Sequence, residues 1–281
     1  MNLPSEIASP QAALLAQYLR RLRLPTMLRE YAALSEVAAR EGVPYERYLV
    51  LLAEREVATR DEYLVRQRLG QAKFPAIKTF DQYDFARMPG LNRQVILELA
   101  QGRYLEHKAN ILLVGDIGTG KTHLATSFGV AACQQGRRVR FYTAAGLTNA
   151  LVEAQAAQRL APFERSLQRL QLLILDEVGF VPFTKAGADL LFSCLAALHD
   201  QVSLVLTTTV PFADWAVLFG GDARLAAALL DRLAFHAQVI AFAGPSYRLA
   251  ESLRQQQAGG AFSGRVTSPA ADASRDASRR E

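Results

Sequence analysis

The sequence predicts an α/β fold built on a parallel sheet and preceded by a small all-helical region. Three observations carry that prediction. Short apolar runs alternate with helical segments after residue 110, a glycine-rich loop joins the first of those runs to a helix, and nothing strand-like occurs before residue 75.

The helical region spans residues 1–75. Leu14, Leu15, Tyr18, Leu19 and Leu22 fall at helical spacing with Arg20, Arg21 and Arg23 between them. Pro25 interrupts, and Leu28, Tyr31, Ala32, Leu34 and Val37 resume the pattern as far as Gly42. After Pro44 it continues through Tyr48, Leu51, Leu52 and Arg55. Pro75 and the stretch to Phe80 read as a linker into a second domain over 76–253. There Ile111–Val114, Val139–Tyr142, Leu172–Leu175, Ser203–Thr207 and Val239–Phe242 are predicted as buried parallel strands. Residues 254–281 are rich in Gln, Gly, Ala, Ser and Arg, and too poor in apolar groups to offset their ordering entropy. They are expected to be a disordered tail.

Composition narrows the class without naming a function. Half of the 281 residues are hydrophobic and 21% are charged, as in globular proteins with a real core. No run approaches the roughly 18 apolar residues of a membrane helix. The first ten residues lack a basic start followed by an apolar block, so no secretory signal is read and a cytoplasmic location is expected. Cys133 and Cys194 show no C-x-x-C or metal-ligand spacing and read as buried free thiols. A formal charge of +5 permits nucleic acid as a partner but does not require it.

The chemistry is carried by two segments. Gly115-Asp116-Ile117-Gly118-Thr119-Gly120-Lys121-Thr122 matches G-x-x-x-x-G-K-[ST], follows a predicted strand and opens a predicted helix over Thr122–Cys133. Glycines let the backbone wrap a phosphate with its N–H groups inward, and the helix N-terminus adds favourable potential. Lys121 is expected to reach the β- and γ-phosphates of ATP, and the Thr122 hydroxyl to ligate Mg²⁺. His123 closes the loop segment and reads mainly as a packing residue. The second segment is an apolar strand ending in Asp176-Glu177. Asp176 is expected to hold Mg²⁺ through water, and Glu177 to polarise the attacking water as general base.

With these motifs, the sequence resembles the IstB/DnaC group of AAA+ helper ATPases, and within it the IstB-like transposition helpers. The resemblance spans most of Leu22–Leu249. It rests on Gly120-Lys121-Thr122-His123-Leu124-Ala125, on Leu173–Gly179, on Ala227–Leu233 with Ser246-Tyr247-Arg248, on Pro211–Trp215 and on Phe80–Arg87. It implies an AAA+ P-loop ATPase that oligomerises, binds duplex DNA and works with a DDE-type transposase encoded by the same element. It also implies that Arg232 is an arginine finger entering a neighbouring subunit's site, where such a group is typically worth about 10³–10⁵ in rate. Without the resemblance, Arg232 reads as a surface ion pair with Asp231 or Asp222.

Two features depart from the group's pattern. Thr209 stands where the strand after the acidic pair usually ends in Asn, and it has one donor fewer than an amide. Slow hydrolysis with near-normal ATP binding is the expectation. Asp116 puts an acid in the phosphate loop, which is tolerable if it faces solvent or metal-bound water. Arginines cluster at 20, 21 and 23, at 60, 66 and 68, and at 137, 138 and 140. Each cluster reads equally as a solvated face or as a phosphate contact. Trp215 is expected to pack beneath a loop. Two alternatives stay open: a helicase loader of the DnaC type, and a nucleotide-gated DNA scaffold with little hydrolysis.

Overall fold

The structure is a computed structural model, and it describes residues 10–180 and 183–244. The expected tail at 254–281 and the Ser246-Tyr247-Arg248 segment lie outside the described residues. Three helices come first: α1 (Pro10–Arg21), α2 (Pro25–Glu41) and α3 (Tyr45–Ala72). Pro25 opens α2, where a proline costs nothing because the first N–H groups of a helix have no internal partner. The buried Glu56 of α3 supplies what that end lacks, its carboxylate accepting from Thr26 N at 2.8 Å and Met27 N at 3.0 Å. Arg60 pairs with Glu56 at 3.0 Å and also donates to the Arg23 carbonyl. One member of the 60/66/68 arginine cluster is thereby committed to holding α2 on α3.

After two 3₁₀ turns within Phe80–Arg87, the chain forms α4 (Arg93–Ala100), α5 (Arg103–Glu106), β1 (Asn110–Gly115), α6 (Lys121–Gln134), β2 (Val139–Thr143), α7 (Ala144–Ala156) and α8 (Leu160–Gln168). It continues as β3 (Leu172–Val178), α9 (Lys185–Leu198), β4 (Ser203–Thr208), α10 (Trp215–Leu218), α11 (Ala223–Ala234) and β5 (Ala237–Phe242). All five expected strands are present and pair in parallel, in the order β2-β3-β4-β1-β5. Alternating side chains of the central strands feed two cores. Leu112, Leu173, Leu175, Leu204 and Leu206 meet α7, α9 and α11 on one face. Ile111, Leu113, Leu172, Ile174 and Val205 meet α4, α5, α6 and the end of α3 on the other. Burial on both faces explains why these strands are continuous apolar runs, each such side chain contributing about 1.5–3 kcal/mol.

The two cysteines are buried free thiols, and burial pushes Cys133 up to about 11 and Cys194 up to about 12. Trp215 is fully buried, with its indole N–H donating to the Val210 carbonyl at 3.3 Å and its ring edge-on to Phe212. It packs beneath the loop after β4, as expected, and has no surface to insert into DNA.

Candidate nucleotide site

The carboxyl ends of β1, β3 and β4 open onto a cleft of about 800 Å³, within the size range of small-molecule sites. Its floor is the loop between β1 and α6. Gly115 has φ +148°, and a Cβ there would come within 2.2 Å of the Phe242 carbonyl, so only glycine lets β1 end against β5. At Gly120, with φ +96°, a Cβ would sit 2.8 Å from the Tyr83 ring. Lys121 is only 7% exposed, and its Nζ donates to the Gly115 carbonyl at 2.7 Å and the Asp116 carbonyl at 2.6 Å. The buried Thr119 hydroxyl donates to the Asp116 carbonyl at 2.8 Å and ties the same turn. Asp116 itself is exposed and faces the loop interior through its carbonyl, which resolves how an acid is tolerated there.

The acidic pair is set by an irregularity in the sheet. Leu175 pairs with Leu206 and Val178 with Thr208, so Asp176 and Glu177 together oppose Thr207 alone. Such a bulge re-aims side chains that a regular strand would send to opposite faces. Glu177 takes φ +60°, a left-handed conformation that costs a non-glycine residue about 1–2 kcal/mol. The Thr207 hydroxyl donates to Asp176 Oδ1 at 2.5 Å and accepts from Glu177 N at 2.9 Å. Thr122 Oγ1 donates to the same Asp176 oxygen at 3.0 Å. Asp176, 3% exposed, is therefore satisfied by two hydroxyls, and Glu177 is left on the cleft wall with its backbone pinned. A hydroxyl and a carboxylate in contact form an all-oxygen donor set, which suits a hard divalent cation that keeps several waters.

The third wall comes from the segment before α4. His123 Nε2 lies 3.0 Å from the Thr79 carbonyl, and because a carbonyl only accepts, Nε2 carries the hydrogen. Its ring meets Tyr83 edge-on at 5.2 Å. The Tyr83 hydroxyl donates to the Thr119 carbonyl at 3.3 Å. Burial, and secondarily the Asp84 carboxylate, push that phenol up to about 12, so it stays a neutral donor. His123 is thus the packing residue the sequence suggested, and it fastens this wall to α6 while lining the cleft.

Of the expected site residues, Ile117 through His123, Glu177 and Thr209 line the cleft. Gly115 and Asp116 hold Lys121 from below, and Asp176 stands directly behind Thr122. Thr209 follows the end of β4, next to Thr208, whose hydroxyl donates to the Val178 carbonyl at 2.8 Å and accepts from Val210 N at 3.0 Å. Arg232 is not brought to its own chain's cleft. It is exposed on α11, its guanidinium 5.4 Å from the Phe192 ring centre. Among the described residues Arg232 forms no ion pair with Asp231 or Asp222; Asp222 instead caps α11 by accepting from Arg224 N and Leu225 N, each at 3.0 Å. Sequence reasoning missed Thr207 and Tyr83. A lone Thr in an apolar strand carries no signal, whereas Tyr83 lies inside the Phe80–Arg87 stretch that supported the resemblance.

A five-stranded parallel sheet in this order, with a phosphate loop and an acidic strand end on its central strands, defines a P-loop nucleotide-binding protein. The chain belongs to the family described as IstB-like ATP binding protein, which matches residues 17–255. It is 39% identical over 236 residues to the insertion sequence IS21 putative ATP-binding protein of Pseudomonas aeruginosa, covering 83% of this chain and 88% of that one. It is 33% identical to the insertion sequence IS5376 putative ATP-binding protein of Geobacillus stearothermophilus, covering 86% of this chain and 96% of that one. Among solved structures it is similar in fold to AMPPCP-bound DnaA from Aquifex aeolicus, with a TM-score of 0.50 and 19% identity over 67% of this chain and 57% of that one. Among the described residues, no helix is long and apolar enough to cross a membrane.

Proposed function

We propose that this chain is an ATPase that assembles on duplex DNA and recruits or activates the transposase encoded by the same insertion sequence, acting in the cytoplasm. The observation that carries the enzymatic part is the Thr207 hydroxyl, which links Asp176 to the Glu177 backbone across the cleft from Lys121. Kinship with insertion-sequence ATP-binding proteins supports the rest. In this reading residues 1–75 are a helical domain and 76–253 the ATPase domain.

The nucleotide phosphates take over the Lys121 ammonium from the loop carbonyls, placing its charge at the β- and γ-phosphates. Glu177 accepts a proton from the water whose oxygen attacks the γ-phosphorus as the bond to the β-phosphate oxygen breaks and ADP leaves. Thr122 and Asp176 would hold Mg²⁺, which when bound would supply positive charge to offset that of the phosphates. Arg232 serves the site of a neighbouring copy, so the assembly depends on bound γ-phosphate and hydrolysis resets it.

A second reading keeps the same ligands with little turnover, as a nucleotide-gated DNA scaffold. Thr209 on the cleft wall, in place of an amide, favours it. DNA-stimulated phosphate release from the full chain and from Glu177→Gln separates the two. For an enzyme, the variant loses about 10²–10⁴ in turnover while nucleotide affinity holds. Absence of any turnover in the unmutated chain, with ATP still bound, decides for the scaffold.

A further inference from the structure

A second cleft opens at the amino end of the edge strand β2 and runs along that strand to Tyr142, and it shares no lining residue with the nucleotide site. It encloses about 390 Å³ and gathers four arginines from three elements: Arg68 of α3, Arg138 and Arg140 at β2, and Arg169 in the turn before β3. No carboxylate lines it, and among the described residues none of the four takes part in an ion pair. Four positive charges gathered in one concavity repel one another. Arg60 and Arg137, from the same sequence clusters, find Glu56 and Glu106 at 3.0 and 3.5 Å, whereas among the described residues no acid pairs with any of these four.

Two of the four are held ready. Arg140 Nη1 donates to the Gln71 carbonyl at 2.9 Å and its guanidinium lies over the Tyr142 ring at 5.0 Å. The Arg138 backbone is fixed on both sides, its N–H donating to Gln171 Oε1 at 2.6 Å and its carbonyl accepting from Gln171 N at 2.9 Å. Charges on an edge strand also discourage strand-to-strand aggregation. That role calls for charge along the strand itself and leaves Arg68 and Arg169 unexplained, since both converge from other elements.

We propose that this arginine cleft grips the phosphate backbone of duplex DNA, an inference that rests on the DNA-binding reading above and names its contact site. Guanidinium groups offer bidentate donors to phosphate oxygens, and contacts made only to the backbone are sequence-independent. The partly apolar wall of Tyr142 and Phe163 suits the sugar face of such a strand. The cleft then binds DNA without sharing a lining residue with the nucleotide site, so both are held at once.

The test uses the full chain with ATP and a random-sequence duplex, with affinity measured by fluorescence anisotropy from 50 to 200 mM salt. Arg138 and Arg169 are exposed, so the double variant Arg138→Ala/Arg169→Ala is expected to fold, with ATP affinity unchanged as the control. The expected result is a log–log salt slope shallower by about 1.8 and affinity roughly tenfold or more weaker at 0.1 M salt. Arg138→Lys/Arg169→Lys should recover most of the slope, because a lysine still neutralises a phosphate. A double-alanine variant that matches the unmutated chain overturns this inference and leaves the DNA-binding reading intact. Unmutated protein whose affinity is flat across that salt range overturns both.

Discussion

The two clefts on one sheet treat charge in opposite ways. At the carboxyl ends of β1, β3 and β4, Lys121 and Asp176 are nearly buried and each is satisfied by groups of its own chain, two carbonyls for one and two hydroxyls for the other. At the amino end of β2, four arginines share a cleft without an acid. Arg232 follows the second pattern, being exposed on α11 with its guanidinium over the Phe192 ring. An unpaired buried charge costs several kcal/mol, so a charge inside a fold has to be held. An exposed one stays solvated at little cost until a partner arrives. Under the functions proposed above, the buried charges serve chemistry within the chain, and the charges without an acid serve contacts between molecules.

The sharpest way to break that division is Arg232→Ala. If this arginine serves a neighbouring copy, turnover in the DNA-bound assembly falls by about 10³–10⁵ while each chain's nucleotide affinity is kept. A loss confined to nucleotide affinity would place the residue with the held charges instead. Next in size is Thr207→Val, which removes the hydroxyl shared by Asp176 and Glu177 at nearly constant volume. One buried carboxylate oxygen loses a donor, and a stability loss of about 1–3 kcal/mol is expected in denaturant melts, with turnover falling alongside. Unchanged stability would show that Thr122 alone suffices to hold Asp176.

Smaller effects sharpen the picture. Thr209→Asn puts an amide with two donors on the cleft wall, and kcat is expected to rise; an unchanged or lower kcat sinks the expectation that Thr209 slows hydrolysis. The smallest effect concerns the cores on which both clefts are built. Burial raises both thiols to about 11 and about 12, above the ordinary value, so at pH 8 the folded chain holds them protonated. A disulfide reagent should label neither Cys133 nor Cys194 in the native protein and both after denaturation. Rapid native labelling would mean that one core opens readily.

How much of this was legible depended on separation along the chain. The strands were readable because burial on both faces makes each a consecutive apolar run, and Ile111–Val114 needs no partner to be recognised as one. The phosphate loop was readable because its glycines, lysine and threonine act on one phosphate within eight neighbouring positions, Gly115 to Thr122. Tyr83 was half legible: its segment carried a resemblance, but its contact with Thr119 lies 36 residues away. The arginine clusters were visible as clusters, yet nothing local distinguished Arg60, paired with Glu56, from Arg68, which faces the second cleft.

By itself, then, the sequence determined the parallel α/β class and marked the glycine-rich loop and the acidic strand end that the fold brings together. Only the tertiary structure decided how those acids are aimed. In a regular strand Asp176 and Glu177 would point to opposite faces, and the bulge against Thr207 leaves Glu177 on the cleft wall with Asp176 behind Thr122. That bulge exists through a hydroxyl 31 residues from Asp176 on the neighbouring strand, and the gathering of Arg68 with Arg169 likewise depends on α3 packing beside β2. Register and packing arise from contacts between distant segments, and such contacts form only once the sheet is assembled.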